Sequence, residues 1–262
     1  MTELNGHKYI SYPIFLHRDA HLDFRQMLWD IASYGIYKSS IKHSVDGGID
    51  MREGLLYLGY SNSISDDTLE EWKIRAIEIE TKAEGLKRGK TNYPIASVQA
   101  LQLLELRDEK PTRKKIDEFL GSRAVRSILG KDNCFKTNNT HVMARMMGFS
   151  TYKEFVLFYD RIEKWTGDLH LSYDMYERYL DPKRELSKHK MKTLFKRLIN
   201  NWKILKATDK TRGYYIAIDN VKPHYMTMSK LAQRIVADKK NSKSDRLELE
   251  FKNAMLSLKK SA

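Results

Sequence analysis

The chain is poor in the residues that build cross-links, turns and membrane spans. Of its 262 residues, one is cysteine, five are proline and 13 are glycine. The lone cysteine, Cys134, excludes an internal disulfide and any zinc site built on cysteines, and it suits a reducing compartment. So few turn formers argue against a many-stranded fold, because tight turns draw on glycine and proline. No apolar run approaches the ~18 residues that a membrane-spanning helix needs, and no basic-then-apolar leader opens the sequence. The expectation is a soluble, cytoplasmic protein with no membrane partner. Familiar catalytic signatures are also missing. There is no Gly-x4-Gly-Lys-Ser/Thr, no Gly-x-Gly-x-x-Gly, no Gly-x-Ser-x-Gly, no His-Glu-x-x-His and no metal-holding His-x-His pair. Neither cofactor nor metal is expected.

What remains is helix-forming and basic. Apolar residues make up 41 % of the chain and aromatic ones 11 %, enough for a real core and too much for wholesale disorder. Met, Leu, Lys and Glu favour helices. The formal net charge is +13, and it is distributed unevenly. From Lys183 to Ala262 there are 21 Lys/Arg against 7 Asp/Glu; the first 182 residues carry 26 against 27. A neutral body with a strongly basic C-terminal third has the electrostatic form of a polyanion-binding protein, so nucleic acid is the leading partner.

Along the chain, Tyr12-Pro13-Ile14-Phe15-Leu16 reads as an edge strand or a lead-in. Leu22 to Tyr34 is predicted as a helix stopped by Gly35, and Met51 to Leu58 as a short helix interrupted by Gly54 and Gly59. Val45-Asp46-Gly47-Gly48 forms a turn. Ser65-Asp66-Asp67 opens a long helix to about Leu86, with Leu69, Trp72, Ala76, Ile79 and Ala83 on one stripe. Ile95 to Leu106 reads as a further helix, and 107–111 as the best domain boundary. The domains expected are a helical partner or dimerisation region, 1–110; a nucleic-acid-binding region, 111–225, with an inserted helical segment, 150–186; and a basic helical tail, 226–262.

The elements after Pro111 carry the functional argument. Thr112 to Leu129 is a helix with Gly130 as its C-cap, and Cys134-Phe135-Lys136-Thr137 is a short strand. Asn139 or Thr140 caps a compact helix, His141 to Met147, closed by Gly148; Ala144 and Gly148 suit a close helix crossing and a tight turn. In Ser187 to Lys203, Met191, Leu194, Phe195, Leu198, Ile199 and Trp202 form a full apolar stripe. The opposite face presents His189, Lys192, Thr193, Lys196 and Asn200, flanked by Lys188, Lys190, Arg197 and Lys203. Lys and Arg suit phosphates or guanine edges, and Asn suits adenine. The stripe makes Phe195 and Trp202 core residues rather than base-stacking platforms. A hairpin follows, Ile204 to Thr208 and Tyr214 to Ile218, with the basic tip Lys210, Thr211 and Arg212.

This order over residues 111–219 resembles the winged-helix DNA-binding domain and, more loosely, plasmid- and phage-type replication initiators. The resemblance implies that Ser187–Lys203 is the recognition helix and that Lys210, Thr211 and Arg212 are the wing. The segment from Phe149 to Leu186 departs from that pattern. Its helix, Thr151 to Trp165, opened by a capping box of Thr151 and Glu154, directly follows the tight turn and competes for the recognition role; its mixed charge makes it the poorer phosphate binder.

Three functional readings result. The first is duplex-DNA binding in replication initiation or transcription regulation, on a mobile element for instance. The second is a non-enzymatic subunit of a nucleoprotein or protein assembly that docks through the basic third. The third, least favoured, is a metal-dependent nuclease using carboxylates such as Asp46, Asp50 and Glu53. His17, His21 and Asp23 have metal-like spacing but no recognisable further ligand. Cys134 is expected to be a buried structural residue rather than a nucleophile.

Overall fold

The computed structural model describes residues 8–20, 23–43, 48–61, 63–88, 93–108, 112–132, 134–165, 188–208, 213–218 and 237. Over these residues the chain is mainly helical, with two small antiparallel sheets. Strand β1, Tyr9–Pro13, buries Ile10 and Tyr12. It pairs with β2, Ile95–Gln99, in the register Tyr9 to Gln99 through Pro13 to Ile95. The helix expected over Ile95–Leu106 is therefore a strand followed by helix α4, Ala100–Asp108. Ala96 and Val98 alternate into the core, and pairing with β1 completes their backbone hydrogen bonds.

Helix α1 runs from Phe24 to His43, straight through Gly35. A Cβ at Gly35 would lie 2.6 Å from the Ile10 side chain, so this glycine lets the helix approach β1 instead of ending it. Gly54 does the same inside α2, Met51–Tyr57, where a Cβ would stand 2.2 Å from the Ile36 carbonyl oxygen. Helix α3, Asp66–Arg88, buries the expected Leu69, Ala76, Ile79 and Ala83, with Trp72 half-buried. Arg75 on α3 holds the buried Asp30 carboxylate of α1 in two bonds of 3.0 and 2.8 Å.

Helix α5, Arg113–Leu129, starts at Thr112, whose side chain accepts from the Lys115 amide, and ends at Gly130 with φ 55°. It packs against β2, the second sheet and the helices on either side. Phe119 meets Phe24 edge-on at 5.6 Å, and one apolar core runs from Tyr12 and Phe24 through Phe119 and Val125 to Leu198 and Ile216. Arg123, buried in this core, donates to the Ser97 carbonyl at 2.6 Å and to Ser122 Oγ at 3.2 Å. Burial lowers its pKa to about 10.

The second sheet comprises β3, Cys134–Thr137, β4, Ile204–Thr208, and β5, Tyr214–Ile218, in the order β3-β5-β4. β5 is central, and Tyr214 to Ala217 are all buried. Between β3 and β4 in the chain lie α6, Asn139–Met146, α7, Tyr152–Trp165, and α8, Lys188–Trp202. The cap of α6 is Asn138, one residue before the expected Asn139; its Oδ1 accepts from the His141 amide at 2.9 Å. Cys134 is half-buried rather than buried. The turn around Asp46 and the segment 166–187 lie outside the described residues, as does the 226–262 tail except for residue 237. No described helix is long and apolar enough to cross a membrane.

Candidate nucleic-acid interface

Helix α8 is set by what it buries. Met191, Leu194, Phe195 and Leu198 turn inward, and a Cβ on Gly121 of α5 would lie 3.2 Å from Leu198 and 3.3 Å from Leu194. Phe195 meets Tyr214 of β5 edge-on at 5.1 Å, and the half-buried Trp202 stands 5.0 Å from the Arg123 guanidinium. Both aromatic residues serve the core. Ile199 does not belong to that stripe: it is 42 % exposed. At 3.6 residues per turn it lies about 80° round the helix from Met191, on the same side as Lys192, Lys196 and Lys203.

The outward face is cationic. Lys190, Lys192, Thr193, Lys196, Asn200 and Lys203 are all exposed, and Lys188 and His189 form the first turn. None of Lys192, Lys196 and Lys203 is ion-paired with a described residue. Arg197 differs from them. Its Nη1 lies 3.5 Å from Glu118 Oε1, and Asn201 donates to Glu118 Oε2 at 2.9 Å, so this edge of the helix is fastened to α5. Lys203 leaves the helix at φ 51° and turns the chain into β4. The expected wing residues Lys210, Thr211 and Arg212 lie outside the described residues.

Lys206 on β4 is absent from the sequence-based set. Its ammonium stands 4.0 Å from the centre of the Phe195 ring and 3.8 Å from that of Tyr214, and burial pushes its pKa down. The signal for it was the strand period: Lys206 falls two residues after the buried Ile204, on the inward face. Between Lys206 and α8 lies an open depression of about 420 Å³, lined by Lys192, Lys196, Asn200, Ile199 and Phe195 among others.

The α6–α7 turn is built differently. Gly148 has φ 80°, and a Cβ there would meet Arg18 Cγ at 2.8 Å. The Arg18 guanidinium lies 4.5 Å from the Phe149 ring, which packs with Met143, Ala144, Met147 and Phe155. Half of the expected capping box forms: Thr151 accepts from the Glu154 amide at 3.2 Å, while Glu154 accepts from the Ser150 amide at 3.0 Å instead of that of Thr151. Exposed Leu157 and Phe158 interrupt the outer surface of α7. Arg145 donates to His141 Nε2 at 3.2 Å, so the His141 proton resides on Nδ1 and is directed at Thr137 Oγ1. Burial, then the nearby Arg145 charge, holds the His141 pKa below its usual value.

Two of the remaining candidates, His17 and Asp50, are held in internal contacts. His17 is fully buried: its Nδ1 donates to the Arg145 carbonyl at 3.3 Å, and its Nε2 accepts from Tyr12 Oη at 3.0 Å. Both ring nitrogens are engaged, and His21 lies outside the described residues. Asp50 caps α2 by accepting from the Arg52 amide at 2.8 Å. No group of three His, Cys, Asp or Glu among the described residues is arranged to hold a metal ion. Comparison with known proteins produced no match to a family model, a curated protein or a solved structure.

Proposed function

We propose that the protein binds double-stranded DNA through the outward face of α8, in the manner of a winged helix. The carrying observation is that face itself, where exposed Lys192, Lys196 and Lys203 lack carboxylate partners among the described residues. Uncompensated ammonium groups along one helix displace the counterions condensed on phosphates, which drives binding without any sequence preference. Lys188, Lys190, Lys203 and the hairpin residues Lys210 and Arg212 are assigned to phosphates. His189, Thr193 and Asn200 are assigned to base edges, and Lys192 and Lys196 to the phosphates beside them. Arg197, held beside Glu118, contributes more to seating the helix than to contacting DNA.

Two further features support the winged-helix reading. Among the described residues the order is a helix, a strand, two helices, a basic helix and a hairpin, and the hairpin joins the earlier strand in the order β3-β5-β4. α8 is favoured over α7 as the DNA-facing helix because α7 carries Glu154 and exposes Leu157 and Phe158. The biological role is replication initiation or transcription regulation.

The test is binding of the purified protein to duplex DNA, single-stranded DNA and structured RNA, measured by fluorescence anisotropy. Duplex DNA is expected to bind tightest. The double substitution Lys192→Glu and Lys196→Glu is expected to weaken that binding by on the order of 10- to 100-fold at low salt without altering the helical circular dichroism. Full affinity in the double variant would remove α8 from the interface. Weak, equal binding to all three probes would instead favour a protein-docking surface.

A further inference from the structure

We infer that Ile199 reads the 5-methyl group of thymine, so that the α8 surface prefers A·T pairs where residues 199 and 200 dock; this rests on the duplex-DNA reading above. A lone exposed apolar side chain needs no explanation of itself. This one is marked by its place. Ile199 is the large apolar side chain that α8 leaves 42 % exposed, and it does so on the lysine side of the helix. Lys196 lies three residues before it and Lys203 four residues after it, so ammonium groups stand one turn to either side. Asn200 is its immediate neighbour in sequence, and all but Lys203 border, with Lys206, the open depression of about 420 Å³.

Phosphates gain nothing from an isoleucine, and neither does the edge of guanine or cytosine. Within the major groove, thymine alone presents a methyl group, and its partner adenine presents the acceptor and donor that an asparagine side chain takes in two bonds. Ile199 and Asn200, which border the same depression, therefore match the two halves of A·T pairs. The flanking lysines hold the backbone and keep that contact in register. Because Ile199 lies at the margin of the buried stripe, the specificity it supplies is separable from folding.

The experiment compares two labelled duplexes of equal length, one alternating adenine and thymine, the other with uracil replacing every thymine. The only chemical difference is the methyl group. Wild-type protein is expected to bind the thymine duplex about fourfold tighter for each methyl it covers. In Ile199→Ser the two affinities converge on the wild-type value for the uracil duplex, and Ile199→Val keeps a reduced ratio. An unchanged melting temperature shows that the variants fold. Equal wild-type affinity for both duplexes, or a ratio that survives in Ile199→Ser, overturns the thymine inference and leaves duplex binding standing. No binding to either duplex at low salt overturns the duplex reading, and the inference with it.

Discussion

His141 sits between a hydroxyl and a guanidinium: Nδ1 donates to Thr137, and Nε2 accepts from Arg145, the contact that requires a neutral ring. Protonation would set two cations against each other in a half-buried site. Its folded pKa is therefore depressed, first by burial and then by Arg145, below the value of about 6.5 that an unfolded histidine has. With that sign, the unfolded state takes up the proton first as pH falls. The stabilisation is complete above about pH 6.5, is lost as pH falls toward the lower folded value, and levels off beneath it. Urea titrations at pH 7, 6 and 5 should give a falling midpoint for the wild-type protein and a shallower fall for His141→Gln. Equal falls would show that this ring is not a determinant. Little at this scale was legible in the sequence. The lysines of α8 were, because a charge opposite an apolar stripe faces water. Lys206 and Ile199 were not: one is drawn onto two aromatic rings, and the other is displaced to the rim by the way α8 leans on α5 and the sheet.

Elements with a complete apolar stripe of their own were readable. α3, α5 and α8 all have one, and β5 is a continuous apolar run. Elements whose form is decided by a neighbour were not. Ile95–Gln99 is short and runs directly into α4, so the alternation of Ala96 and Val98 stands out only once β1 is paired with it. Gly35 looks like a stop until Ile10 is seen against it. The two roles of a helical glycine are separable by substitution. Gly35→Ala should destabilise the protein by about 1–3 kcal/mol, because the new methyl overlaps Ile10. Gly85→Ala, in α3 with nothing within 4 Å of the new methyl, should stabilise it by about 0.5–1 kcal/mol. Denaturant midpoints decide, and the same sign at both positions would contradict this packing of α1 on β1.

Over the whole molecule, the neutral N-terminal two-thirds and the basic C-terminal third meet at α5, which shares its core with both sheets. Asn201 on Glu118 and Trp202 against Arg123 tie the last turn of α8 to α5, and Arg123 in turn reaches β2 through the Ser97 carbonyl. Lys192 and Lys196 of α8 thus share one outward side of the helix. Its function is tested most directly by the dependence of duplex-DNA affinity on salt. A plot of log affinity against log salt concentration should be steep and linear for the wild-type protein. Substituting Lys192→Gln and Lys196→Gln together should make it shallower by roughly 1.8, about 0.9 for each phosphate charge that the removed ammonium group no longer neutralises. An affinity that ignores salt, or a slope the double substitution leaves unchanged, would contradict the account.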